Sequence, residues 1–331
     1  MKRILVILAS LFLSGAALAQ DYTFTNNNVV PFGMNPSLVG NANAMRFGLD
    51  YRMQWPTLSN KYNTLRITYD QPIYKQMCNI GVSYTRDNEA GIINHNEFAA
   101  TYSQNIRLQD EYFVRLGVTF SFFNNHLDTD LTFDDQYVRP GTLLPSSIDD
   151  VSETNVNFVD FSFGAAFVME NKLTVGAALY HIGEPNNGFD DLESSTLGRR
   201  FVVHANYIQD MESRAGLWGR RDLSSTYFFG SLNYQQQEAL GRTYHLGTIS
   251  AGAMTNPILF GASYKYDFAS AYGKLNILSF MVGANWKGLQ AYYIFDLYTS
   301  KKNNGSWSHE FSIVYVLPPK HYKYSCPIIY W

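Results

Sequence analysis

Only 16% of the 331 residues are charged, against roughly 25% in ordinary soluble proteins. A surface bathed in water on all sides is therefore disfavoured. Basic residues are not in excess. Removing Lys2 and Arg3 with a leader leaves 23 basic against 28 acidic residues, so nothing favours nucleic acid as a partner. After residue 19 no apolar stretch reaches the roughly eighteen residues that a membrane-crossing helix needs. No H-E-x-x-H, C-x-x-C or G-x-S-x-G occurs. The histidines His95, His126, His181, His204, His245, His309 and His321 fall on separate segments. A metal site, a cofactor and a nucleophile elbow are thus unsignalled, and the expectation is a protein that is not an enzyme. The longest acidic loop, with Asp128, Asp130, Asp134, Asp135, Asp149, Asp150 and Glu153, lacks EF-hand spacing.

What is present is aromatic and alternating. Tyr (24) and Phe (23) dominate an aromatic content of 16%, while mean hydropathy is only −0.19. In Val159–Val168, the residues Val159, Phe161, Phe163, Ala165 and Phe167 share one parity, and Asp160, Ser162, Gly164 and Ala166 share the other. A strand turns successive side chains to opposite faces, so this pattern makes one apolar wall and one polar wall. Some fourteen such segments follow one another. They lie near 45–54, 62–71, 79–87, 95–104, 112–123, 156–169 and 172–182, then 199–208, 224–235, 243–254, 257–267, 276–286, 289–298 and 308–316.

Behind an export signal, that repetition predicts an all-β, transmembrane antiparallel β-barrel of about 14 strands in an outer membrane. The signal is residues 1–19. Lys2 and Arg3 precede the apolar Ile4–Leu13, and Ala17-Leu18-Ala19 forms an A-x-A cleavage site. The connections alternate in length. Short ones such as 170–171, 255–256 and 287–288 are assigned to the periplasm, and long ones such as 124–155 and 183–198 to the outside. The connection 209–223 breaks the rule, being long where a short turn is due. It carries Trp218, Arg220 and Arg221, which are candidate docking residues.

The predicted division is a signal (1–19), an N-terminal periplasmic lead-in (20–44), the barrel (45–317) and a C-terminal periplasmic tail (318–331). Pro318 and Pro319 cannot donate ladder hydrogen bonds and so end the last strand. The tail combines Lys320, Tyr322, Lys323 and Tyr324 with Ile328, Ile329, Tyr330 and Trp331. It is read as docking on a periplasmic partner, plugging the barrel, or a signal for membrane insertion. Export permits a disulfide. Cys78 and Cys326 are read either as a bridge pinning the tail across the barrel mouth or as two separate thiols. Trp55 is expected in an aromatic girdle, while His309 and Glu310 are expected to join a lumen network with Arg66 or Arg115.

Four local patterns then coincide in order: N-P-S-L-V-G at Asn35, Pro36 to Gly40; R-M-Q-W at Arg52, Gln54 and Trp55; S-H-E-F around His309 and Glu310; and C-P at Cys326. Together they resemble the PorP/SprF family of Bacteroidetes outer-membrane proteins, whose members show N-P-A-Y-A-G, R-x-Q-W and S-H-E at these places. Ser37, Leu38 and Val39 depart from the family's Ala-Tyr-Ala. The resemblance implies association with type IX secretion components and, in gliding bacteria, with secreted surface adhesins. The function it implies is an accessory or anchor that holds a translocon component or surface-bound cargo without catalysis. From the polar face alone, a passive channel for small solutes is the alternative.

Overall fold

The computed structural model describes residues 21–26, 30–42, 44–57, 62–74, 77–109, 111–128, 137–139, 142–143, 154–169, 172–189, 196–210, 226–239, 242–255, 257–268, 276–299 and 306–317. The signal segment, Trp218, Arg220, Arg221 and the whole tail, Cys326 included, lie outside them.

The strands are β1 (Arg46–Gln54), β2 (Tyr62–Tyr74), β3 (Cys78–Glu89), β4 (Ile93–Gln109), β5 (Tyr112–Leu127), β6 (Tyr137–Arg139), β7 (Thr142–Leu143), β8 (Asn155–Met169), β9 (Leu173–Tyr180) and β10 (Arg200–Asp210). They continue with β11 (Thr226–Ala239), β12 (Arg242–Thr255), β13 (Ile258–Asp267), β14 (Asn276–Trp286), β15 (Leu289–Tyr298) and β16 (Trp307–Val316). Fourteen of them form a closed antiparallel barrel in which each strand pairs with the next. The small β6–β7 hairpin stands apart, in the connection between β5 and β8. Sequence alternation does not mark it, because two or three residues are too few to display a period.

Closure comes from β1 and β16, paired from Arg46↔Val316 to Gln54↔Ser308. A closed ring leaves no unpaired edge. That is what a bilayer requires of any β structure, since hydrocarbon offers no partner for a free N–H or C=O. We call the rim where β1 begins and β16 ends the lower rim, and the opposite one the upper rim.

The wall has two solvents. Outward residues are bare and apolar: Phe98, Val118, Phe161, Leu232, Ile249, Phe260 and Phe280 are all about half exposed. Their inward neighbours are buried and polar, as in β8, where Asp160 and Ser162 alternate with Val159, Phe161 and Phe163. Outward-facing polar atoms near the upper ends of the strands pair locally. Tyr51 OH donates to Asn63, and Tyr84 OH to Asn96. Such tyrosines keep a ring in hydrocarbon and an oxygen at the wet boundary.

The lead-in departs from expectation. Its composition puts residues 20–44 in the periplasm, outside the barrel, whereas the described part of the segment lies in the lumen. Asp21 sits beside His181, Arg200 and Gln237, at the upper ends of β9, β10 and β11. Val30 lies lower, packed with Ile208, Phe229, Leu259, Tyr292 and Val314. Two 3-10 turns, Pro31–Gly33 and Pro36–Leu38, then carry the chain across to β5, β8 and β9, before Gly40 returns it towards β1. The physical reason is charge. The inward wall carries Asp50, Arg52, Arg66, Asp70, Arg115 and Glu310, all at 2% exposure or less, and buried charges need partners. The segment brings those partners, together with apolar Phe24, Val30, Met34, Leu38 and Val39, all buried.

Phe161, 54% exposed near the middle of β8, tests the lipid face. Phe161→Arg is expected to cost about 2–4 kcal/mol, read from urea unfolding in lipid vesicles. Ser162→Ala, one residue along and inward, is expected to cost much less.

Candidate functional site: the occupied lumen

The inward charges hold the N-terminal segment in three groups. At the upper end, Asp21 Oδ2 lies 2.7 Å from His181 Nε2 and 3.1 Å from Arg200 Nη1, while His181 Nδ1 lies 3.0 Å from Asp160 Oδ2. A carboxylate on each ring nitrogen suits an imidazolium, which donates from both. Tyr22 OH donates to Glu97 Oε2 at 2.5 Å. His181 itself has a positive φ of 56° just past β9, a turn that aims its ring inward.

The second group joins the seam strands. Arg52 Nη2 lies 2.8 Å from Asp296 Oδ2, and Nη1 lies 3.5 Å from Glu310 Oε2. Arg52 also donates to the carbonyl of Thr23. Glu310 accepts the backbone N–H groups of Thr25 and Asn26, each at 2.8 Å. Nearby, Arg66 pairs with Asp50 at 2.9 Å, lies over the Phe24 ring at 4.2 Å, and donates to Val30 O.

The third group receives the N-P-S turn. Asn35 Oδ1 accepts from Ser37 N at 2.9 Å and caps the turn, while its Nδ2 donates to the strand carbonyls Ala165 O and Ala177 O. The turn fits because the wall there is glycine. A Cβ at Gly117 would overlap the Pro36–Ser37 backbone, and one at Gly164 or Gly176 would overlap the Asn35 side chain. Arg115 donates to Ser37 O at 2.7 Å and Val39 O at 2.8 Å. Gly40, at φ +77°, donates to Asp70 Oδ2 at 2.6 Å, and Asp70 is also held by Arg46 at 2.8 Å.

The expected residues therefore divide. Asn35, Pro36, Gly40, Arg52 and Glu310 all belong to the lumen assembly. Gln54 ends β1 opposite Ser308 and Tyr62. Trp55 takes a positive φ of 48° at the upper rim, with its ring 5.1 Å from Tyr62 and 5.8 Å from Tyr298. His309 corrects the reading that places it in the lumen beside Glu310. It faces outward, with Nδ1 2.9 Å from Tyr293 OH, because neighbours on a strand cannot share a face. Glu310 also pairs with Arg52, not with Arg66 or Arg115. Sequence reading misses Asp21, Asp160, His181, Arg200 and the glycine pit. Inward parity marks Asp160, Gly117, Gly164 and Gly176, but nothing local marks Asp21. Cys78 opens β3 with its thiol 3.2 Å from Gln104 Oε1. Among the described residues no group of three or more His, Cys, Asp or Glu is placed to hold a metal.

Residues 16–315 match the family described as type IX secretion system membrane protein PorP/SprF. The chain belongs to that family. It is an outer-membrane β-barrel protein of the type IX secretion system, and both the N-P-S turn and the Arg52–Glu310 contact now have a place inside a PorP/SprF barrel. No curated relative matches the sequence. Solved structures of similar shape include the Acinetobacter baumannii outer membrane protein Omp33 (8% identity, TM-score 0.45, covering 83% of this chain and 100% of that one). A Pseudomonas aeruginosa FadL homologue is similar at 12% identity and TM-score 0.47, over 91% and 100% of the two chains. The CymD monoaromatic hydrocarbon channel is similar at 8% and 0.48, over 84% and 90%.

Gly117→Val is expected to push the Pro36 turn off the wall and expose residues 21–42 to added protease in detergent. Gly183→Val, at a position with open space around it, is expected to leave the cleavage pattern unchanged. Arg115→Met strands two carbonyls and is expected to destabilise the folded protein by about 1–3 kcal/mol for each.

Proposed function

We propose that this PorP/SprF protein is a non-catalytic accessory or anchor of type IX secretion, holding a translocon component or an adhesin-type surface cargo at the outer membrane. The observation that carries the reading is the lumen occupied by the N-terminal segment. A conduit for solutes needs a continuous wet path, and here side chains of β1, β2, β5, β10 and β16 and backbone carbonyls of β8 and β9 meet the described part of residues 21–42 from several directions. A barrel so occupied presents two rims and a rigid wall, which suits holding better than conducting.

Within this reading the tail (Lys320, Tyr322, Lys323, Tyr324, Ile328, Ile329, Tyr330, Trp331) and the 209–223 connection with Trp218, Arg220 and Arg221 are the candidate docking elements. They offer aromatic side chains and, in the 209–223 connection, arginines of the kind enriched at protein interfaces. The Cys78–Cys326 bridge would fix the tail across the lower mouth. Cys78 suits it by position, at the lower end of β3.

Three outcomes test the proposal. Gentle detergent extraction is expected to recover type IX secretion components or a secreted surface protein bound to this chain; a protein recovered alone, with surface proteins unchanged on gene deletion, sinks the reading. In planar bilayers the purified protein is expected to be silent, and steady porin-like conductance would restore the channel. Non-reducing mass spectrometry is expected to show the Cys78–Cys326 peptide pair, and two alkylated thiols in native protein would remove the bridge.

A further inference from the structure

The lumen holds the described part of residues 21–42 through many contacts to its main chain. Glu310 accepts the N–H groups of Thr25 and Asn26, and Asp70 accepts that of Gly40. Arg52 donates to Thr23 O, Arg66 to Val30 O, and Arg115 to Ser37 O and Val39 O. These five side chains come from β1, β2, β5 and β16 and address peptide groups that every polypeptide carries. Contacts that read particular side chains accompany these: Thr25 Oγ1 lies 3.3 Å from Asp296 Oδ1 and from Arg52 Nη1, Asn35 Nδ2 lies 3.0 Å from His204 Nε2, and Phe24, Val30, Met34, Leu38 and Val39 are buried. Asp21 meets His181 and Arg200, Tyr22 meets Thr85 and Glu97, and Asn35 sits in the glycine pit.

Charges that served only to fill a hole could neutralise one another across it. Here Arg52 has Asp296, Arg66 has Asp50 and Asp70 has Arg46, yet each also reserves a hydrogen bond for the peptide, as Arg115 and Glu310 do. That is the chemistry of a receptor for a polypeptide segment. It parallels the strand-addition mode of peptide binding, in which main-chain bonds supply affinity and a few pockets supply choice, with charged side chains in place of a sheet edge.

We propose that the lumen is a peptide-binding site, occupied at rest by the chain's own N-terminal segment within residues 21–42, and that it takes in exchange a segment of the secreted protein this barrel serves. The identity of that partner rests on the secretion reading above; the site itself does not. The exchange breaks and re-forms the same set of hydrogen bonds. The equilibrium favours the resident segment through its tether, because a covalently joined segment enjoys an effective concentration in the millimolar range. A free peptide therefore competes well only when the resident segment is weakened.

The test uses the full-length protein in detergent and a fluorescent synthetic peptide of residues 21–42, followed by polarisation. Asp21→Asn, Tyr22→Phe and Asn35→Ala together loosen the resident segment and leave Glu310, Asp70, Arg52, Arg66 and Arg115 intact. This triple variant is expected to bind the peptide saturably, with an apparent Kd at least roughly tenfold below that of the unsubstituted protein. Adding Glu310→Gln and Arg115→Met is expected to abolish that gain. The single variant Asp21→Asn, titrated alongside with heat-modifiable gel migration as the check of folding, is expected to gain at least about threefold by the same logic. No gain in either folded variant, or a gain unaffected by the Glu310 and Arg115 changes, overturns the proposal. Failure to co-purify secretion components would sink the assigned partner and leave this binding result standing.

Discussion

The structure depends on burying charge inside a ring that has hydrocarbon outside. Closing fourteen strands settles the backbone hydrogen bonds of the wall, but not the inward Asp50, Arg52, Arg66, Asp70, Arg115 and Glu310. A charge removed from water must find an opposite charge and further hydrogen bonds, or the cost is several kcal/mol per ion. Part of that demand is met across neighbouring strands, as in Asp50–Arg66 and Arg46–Asp70. The rest is met by the polypeptide that threads the lumen. The N-terminal segment is thus a component of the barrel's interior, as necessary to Arg115 as Arg115 is to it.

This division explains what the sequence reveals and what it hides. Strands such as Val159–Val168 are legible because the two faces meet different solvents and the period of two is strict. All fourteen barrel strands can be found that way, and β14 and β15 agree with the structure to the residue. The N-terminal segment has no such period. Its Asn, Thr and Pro residues read as a water-facing leader, because the groups that satisfy them lie far along the chain. Thr25 meets Glu310 and Asn35 meets Ala165 and Ala177, and no local pattern encodes a pairing across 285 residues. The His309 reading fails for a simpler reason: strand alternation already forbids His309 and Glu310 from facing the same way.

The family's short motifs also gain a physical sense. Asn35 and Pro36 need glycine opposite them, and Gly117, Gly164 and Gly176 on three successive strands of the ring, β5, β8 and β9, provide it. Arg52 and Glu310 belong to motifs at opposite ends of the barrel sequence, yet they face each other on paired strands.

The seam between β1 and β16 has one more implication. Arg52 on the first strand and Glu310 on the last both grip the stretch from Thr23 to Asn26, which lies inside the completed hoop. Residues synthesised almost the whole length of the barrel apart thus close on one short stretch, and the seam and the leading end of the polypeptide brace each other in the finished hoop. Inside that hoop, the earliest-made part of the mature protein and the latest-made strand become mutual neighbours.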